Sequence, residues 1–374
     1  MERQMSIWEQ ESFFAPQDII IIGSGLVGLW CALELKLKNP SAKITILEKG
    51  IIPTGASTRN AGFACFGSPT EMIYDAKVMG EEKMWATVAL RHKGIEKIRK
   101  HFGDSVIDYD NCGGYECLST IKAEEVNEHL PWLNAGMNAI TGTAESFTWC
   151  NEKLTAFGFN GFEKMIENKL EGGLHSGKLV QALMLQVQAA GVTILTGFEV
   201  VGTEELNNSI EIATNTGIVF TCGKLLYCTN AFSSQLVNEV NITPARGQIL
   251  VTNQIEGLKM KGTFHYDEGF YYFRNLGNRV LLGGARNKAF EQEQTTALLT
   301  SPVVQEELER FLSIHVLPGI DYTITNRWSG IMGFSENKEP LIKQVGKNAI
   351  AVIACNGMGV ALSPVIAEQV VEYF

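Results

Sequence analysis

Apolar positions along this chain recur in three patterns: unbroken runs, runs with helical spacing, and alternating runs. Ile19 to Ile22 are unbroken, as in a parallel strand buried on both faces. A helical stretch, Leu26 to Lys38, and a second strand, Lys43 to Leu47, complete a strand–helix–strand unit. The same grammar returns at Leu174 to Gly191. There Leu179, Val180, Leu183, Met184 and Val187 keep 3.6 spacing, Ser176 is placed to cap the helix and Gly191 to close it. Strands follow at Val192 to Thr196 and Lys224 to Thr229, and a last strand, Ile350 to Ala354, leads into a terminal helix. Pro364 suits the first turn of that helix and not its interior. Between these segments, two helical stretches cover Glu71 to Phe102 and Cys112 to Thr120 reads as a strand. Gly269 to Gly284 alternates around a turn at Leu276 to Asn278, as an antiparallel hairpin does.

The first unit carries a specific chemistry. Gly23, Gly25 and Gly28 form G-x-G-x-x-G between strand and helix, and Glu48 follows twenty residues later. One glycine permits the tight turn, one lets the main chain approach a pyrophosphate, and one lets helix and strand pack closely. Gly25, Leu26 and Val27 open a helix whose free N–H groups and partial positive charge favour phosphate. A carboxylate at Glu48, beside Lys49, suits ribose hydroxyls and repels a 2′-phosphate, which excludes NADP and leaves NAD and FAD. The pattern predicts an α/β fold: a discontinuous Rossmann-like nucleotide domain (17–85, 150–235 and 325–374) and an inserted mixed α+β substrate domain with an antiparallel sheet (86–149 and 236–324).

Composition narrows the classes. The 374 residues are 45 % hydrophobic and 19 % charged, an ordinary globular balance that suits about two domains. A net charge of −10 without any Lys/Arg block argues against a nucleic-acid partner. No apolar run reaches the roughly 18 residues that span a bilayer. Met1 to Gln17 lack a basic region followed by an apolar one, so a cytoplasmic location is expected. Eight cysteines and six histidines show no metal-ligand spacing, and no metal is expected.

A second glycine-rich helix entrance, Cys355-Asn356-Gly357-Met358-Gly359, would suit the edge of an isoalloxazine that turns negative on reduction. It belongs to an ordered series of motifs. After the fingerprint come Gly55-Ala56-Ser57-Thr58-Arg59-Asn60-Ala61-Gly62 and Gly173-Leu174-His175-Ser176-Gly177-Lys178-Leu179. Thr229-Asn230-Ala231, Arg246-Gly247-Gln248, Tyr272-Phe273-Arg274 and Trp328-Ser329-Gly330-Ile331-Met332 follow. In this series the chain resembles the D-amino-acid oxidase, sarcosine oxidase and glycine oxidase family of FAD-dependent oxidoreductases. Within it, Trp8, S-x-R-N-A-G and W-S-G-I-M-G make it most similar to the gamma-glutamylputrescine oxidase-like amine oxidases.

The resemblance implies FAD. It places Ser57, Arg59, Asn60, Ala61 and Gly62 against pyrophosphate and ring, and Val200 at the adenine. It places Thr229 and Asn230 along the nucleotide, Gly330 beside the cofactor, and Gly357, Met358, Gly359 and Val360 at the pyrimidine edge. The stretch where the sarcosine branch attaches flavin, Gly330 to Phe334, has no cysteine. Non-covalent FAD is therefore expected, with Cys355 a buried neighbour. The family's amino-acid oxidases hold a substrate carboxylate with an arginine where this chain has Met332. The sarcosine branch uses a lysine where it has Val360 and Ala361. Both anchors are absent, which favours an uncharged or aliphatic amine, although Arg59 offers a cation.

Tyr272 is the first candidate for a substrate-contacting hydroxyl and Tyr271 the second, with Phe270, Tyr272 and Arg274 on one strand face. Arg274 reads as a structural ion-pairing residue, and His265 and Asp267 as loop residues. The expected reaction is oxidation of an amine C–N bond by hydride transfer to flavin N5, giving an imine that hydrolyses, with oxygen or another acceptor taking the electrons. Oxidation of a small amino acid or 2-hydroxy acid on the same scaffold is the alternative. A non-catalytic FAD-binding module is the reading from another class.

Overall fold

A computed structural model describes residues 4–336, 339–353 and 356–374. Two large sheets organise it. The first contains β1 (Gln17–Ile22), β2 (Ile44–Glu48), β8 (Thr193–Thr196), β9 (Val200–Glu205), β10 (Ile210–Thr214), β11 (Val219–Tyr227), β17 (Leu341–Gln344) and β18 (Ala349–Ile353). Its path runs β17-β18-β11-β1-β2-β8, parallel from β18 to β8, with β9 and β10 added antiparallel beside β11. Strand β1 lies between β2 and β11. The carboxyl end of β1 is thus where chain connections leave in opposite directions, the place where open α/β sheets form a crevice.

The second sheet contains β4 (Gly114–Leu118), β5 (Phe147–Trp149), β6 (Lys164–Asn168), β12 (Thr243–Thr252), β13 (Thr263–Tyr266), β14 (Tyr271–Leu276), β15 (Arg279–Gly284) and β16 (Ile324–Phe334). Its order is β16-β12-β15-β14-β13-β4-β6-β5. All pairs are antiparallel except β13 with β4, whose residues come from either side of 119–262. A two-stranded ladder, β3 (Phe63–Ala64) with β7 (Gly172–Gly173), lies outside both sheets. The chain therefore enters the second sheet, returns to the first, and repeats the excursion.

Three expectations change. Strand β6 falls in the 150–235 part and all but the first residue of β16 in the 325–374 part, yet both pair in the second sheet. Sequence spacing marks such strands but not their partners. His265 is on β13 and not in a loop. His175, not Ser176, caps the helix Ser176–Ala189, its Nδ1 accepting the Lys178 N–H at 3.2 Å.

The helices Leu26–Lys38, Glu81–Phe102 and Gly359–Val370 pack together behind the first sheet. Gly94 makes the closest crossing possible, because a side chain there would overlap the Ala361 carbonyl oxygen. Pro364 lies inside the helix Gly359–Val370, one turn past its start, against the room that Gly94 leaves.

Candidate active site

A cavity of about 1220 Å³ runs between the two sheets and reaches from the first glycine loop to the face of the second sheet. That exceeds the roughly 300–1,000 Å³ of a typical small-ligand pocket.

At the nucleotide end the main chain builds the wall. Gly23 follows β1 with φ +103°, and a Cβ there would stand 2.7 Å from the Cys228 carbonyl oxygen. At Gly28 a Cβ would collide with the Gly23 carbonyl oxygen. Gly25 precedes the helix without a side-chain cap, and the Leu26 N–H is taken by Ser57 Oγ at 2.9 Å. Val27 lines the cavity beside them. Glu48 is fixed by the Ser24 N–H (3.0 Å), the Ser24 hydroxyl (2.8 Å) and the Gly50 N–H (2.9 Å). Lys49 rests 3.7 Å above the Phe232 ring. Val200, the first residue of β9, lines the same end, as do Thr229 and Asn230, whose φ is +45°.

Midway, the short helix Ala56–Arg59 leads into a braced turn. Asn60 donates to Ala56 (3.1 Å) and Ser57 (2.9 Å) carbonyls and accepts from the Gly62 N–H (2.8 Å) and the Ser176 hydroxyl (2.6 Å). Arg59 donates to the Ser329 carbonyl at 3.0 Å, and Trp328 Nε1 donates back to the Arg59 carbonyl at 3.0 Å. Gly330 makes this approach possible, since its Cβ would lie 3.1 Å from Arg59 Cβ. Ala61 lines the cavity beside them, and Gly62 bends the turn with φ +72°. Arg274 departs from its expected role, because it forms no ion pair among the described residues. Buried at 7 % exposure, it donates to the Gly62 (2.5 Å) and Leu174 (3.0 Å) carbonyls, and desolvation lowers its pKa.

The second glycine entrance is formed by Gly357, with φ +87°, and by Met358, which caps the helix Gly359–Val370 without a side-chain bond. Gly359 and Val360 line the cavity here, and Met332 Sδ lies 3.8 Å from where a Gly357 Cβ would be. Cys355 lies outside the described residues.

At the substrate end the alternation of strands decides which residues reach the cavity. Gly247, Gly283, Tyr272 and His265 lie in neighbouring register on one face. Met332 Cε and the Tyr272 hydroxyl lie 3.1 and 3.5 Å from the position of a Gly247 Cβ, so the three form one wall. Phe63 packs edge-on against both Tyr272 and His265. Burial raises the Tyr272 hydroxyl to about 12 and lowers His265 to about 4, so both are neutral near pH 7. Tyr271 must be corrected. As the next residue along β14 it points to the opposite face, where it stacks on Phe311 and donates to Glu307 at 2.6 Å. Sequence reasoning passed over Trp328, although it sits in a quoted motif, and Arg286, which lines the cavity with no motif to mark it.

The sequence model of the FAD-dependent oxidoreductase family matches residues 18–373. The chain belongs to this family. The probable oxidoreductase OrdL of Rhizobium meliloti is 22 % identical over 354 residues, covering 92 % of this chain and 80 % of that protein. The L-proline dehydrogenase of P. horikoshii superposes with a TM-score of 0.76 at 17 % identity, over 96 % of this chain and 92 % of that one. Glycine oxidase from Geobacillus kaustophilus gives 0.73 at 19 %, over 96 % and 95 %. As a member of this family the protein is an FAD-dependent oxidoreductase, and the residues present fit FAD. Two helix entrances whose N-cap residues, Gly25 and Met358, give no side-chain cap face one cavity, and at Gly23, Gly25 and Gly330 a Cβ would collide with or crowd the walls.

Proposed function

We propose that this oxidoreductase oxidises the C–N bond of a small amine to an imine, which water then hydrolyses. The observation that carries the reading is the wall of Tyr272, Met332 and Phe63, which meets the flavin-side entrance at Gly357. FAD, held by the helix entrances at Gly25 and Met358, would supply the two-electron acceptor for the hydride of the carbon next to nitrogen. What the chain supplies is position and dryness. Met332 and Phe63 exclude water from the reacting carbon and favour the neutral amine over its ammonium form. Tyr272, protonated at all working pH values, offers its hydroxyl to the substrate. Gly247 and Gly283 leave the room that side chains would fill. Non-covalent attachment is part of this reading: Cys65, which lines the cavity two residues past Phe63, is buried and its thiol is pushed well up, so it supplies no thiolate.

The test is an absorbance spectrum of the purified protein, followed by anaerobic addition of amines. The expected result is flavin bands that bleach with an amine and return with oxygen or an added electron acceptor. Flavin that no amine or amino acid reduces would overturn the reading. Bleaching only by a 2-hydroxy acid would replace it with oxidation of C–OH.

A further inference from the structure

Among the described residues four cationic side chains line the cavity: Lys49, Arg59, Arg91 and Arg286. Three are engaged. Lys49 covers Phe232 at the nucleotide end, Arg59 donates to Ser329, and Arg91 donates to Phe66 with Glu71 at 3.6 Å. Arg286 has no hydrogen-bond or ion-pair partner among the described residues. Its guanidinium lies over two rings, 4.6 Å from the centre of Phe290 and 4.8 Å from that of Phe334. The carboxylate whose field reaches it, Glu293, is already taken by Arg246 in two bonds of 2.7 Å, by Gln248 and by Ser301. The main chain is bent to place Arg286. Gly284 has φ +119° and Ala285, fully buried, has φ +56°, a left-handed conformation that costs a side-chain-bearing residue energy. Phe334 follows Met332 by two residues on β16, and Arg286 also acts on the Tyr272 hydroxyl, lowering its pKa against burial. The arginine therefore stands beside the wall already described, in the turn Arg286–Lys288 after β15 and away in sequence from the two anchor positions, Met332 on β16 and Val360 in the terminal helix.

We propose that Arg286 is the anion-binding residue of the substrate site, and that the amine oxidised here carries a carboxylate. This rests on the C–N oxidation proposed above. The guanidinium is held over aromatic rings, and its planar fork of N–H donors, unbonded among the described residues, suits a planar two-oxygen acceptor. At this end of the cavity Arg286 is the one cation without a hydrogen bond or ion pair among the described residues, and one cation matches one negative charge. A diamine would bring a second ammonium to this guanidinium and is disfavoured.

The test uses the FAD-loaded enzyme and two readouts. Calorimetric titration with butyrate, butanamide and butylamine reports binding without turnover. The expected result is that butyrate binds, the other two bind at least 10-fold more weakly, and Arg286→Leu weakens butyrate by about 10- to 100-fold. Arg286→Lys, which keeps the charge but not the fork, should recover part of that loss. In parallel, anaerobic flavin reduction compares amines of two to five carbons with and without a terminal carboxylate. The carboxylated member of a pair should be the better substrate in the wild type, and the preference should vanish in Arg286→Leu. Equal butyrate binding by wild type and Arg286→Leu overturns the proposal, as does a wild-type preference for the uncarboxylated amines. If no amine of either kind reduces the flavin while butyrate binding still depends on Arg286, the C–N reading falls and the anion site stands. Flavin content of each variant checks folding, and the wild-type comparison needs no variant.

Discussion

The two ends of the cavity are made of different materials. At the nucleotide end the wall is main chain: glycines at 23, 25 and 28, an uncapped helix, and a carboxylate held by Ser24 and Gly50. At the substrate end it is side chains, Tyr272, Met332, Phe63 and Arg286, drawn from separate strands and loops. A backbone wall tolerates almost no added atom, whereas a side-chain wall can be re-cut one residue at a time. On the reading proposed above, the first end holds the cofactor and the second sets substrate choice.

The largest effect should come from Gly28→Ala. Its methyl group collides with the Gly23 carbonyl, so helix and strand must part at a cost of about 3 kcal/mol or more. Flavin content and thermal melting would show loss of both cofactor and stability; a variant with normal flavin would break the contrast between the ends. Arg274→Met comes next, because it leaves the Gly62 and Leu174 carbonyls unpaired. A loss of about 3 kcal/mol is expected in urea unfolding, with weaker FAD retention. Undiminished retention would mean that the second sheet does not steady the flavin-side turn.

Two adjacent tyrosines sharpen the comparison within one strand. Tyr271→Phe should cost about 1–2 kcal/mol through its lost bond to Glu307 and leave kcat/KM within about twofold. Tyr272→Phe should do the reverse, with stability held and kcat/KM lowered about 10-fold. Matching profiles for the pair would contradict the assignment of the two faces.

A further effect depends on pH and comes from a carboxyl that does not line the cavity. Glu171 accepts the Phe66 (2.8 Å) and Gly67 (3.3 Å) N–H groups, yet burial raises its carboxyl from 4.5 to about 8. The folded protein keeps a proton that the unfolded chain releases near pH 4.5. Stability is therefore full below that pH, falls as pH rises, and levels off above about 8. Glu171→Gln should flatten this slope in melts across the range, leaving the part due to Glu116, whose carboxyl burial raises to about 7. An unchanged slope would show that Glu171 ionises without cost.

Legibility in the sequence followed the same division. Residues 17–28 show strand, turn and helix within one short stretch, because each glycine's reason is local. Glu48 was legible as to place, while its engagement by Ser24 was not, since Ser24 belongs to no rule of spacing. Alternation along β14 separated Tyr271 from Tyr272 but gave no hint of which face met the cavity; that depends on β15 and β13 and on the helix Pro302–Phe311, which brings Phe311 against Tyr271. Arg286 left no local sign, because its position is set by a left-handed alanine and its environment by Phe334 from another strand. The family resemblance supplied the cofactor, which the residue pattern had left open between NAD and FAD.

The chain's repeated crossing between the sheets has a kinetic consequence. β1 cannot be flanked on both sides until β11 has formed, and the second flavin-side helix entrance waits for 356–359. Such non-local pairing is slow, because long loops must close before the contacts reward them. A nascent chain that lacks those residues holds only half of a cofactor site. FAD binds the completed site and, by mass action, draws the population toward it. Withholding FAD should therefore lower the yield of folded protein as well as its activity.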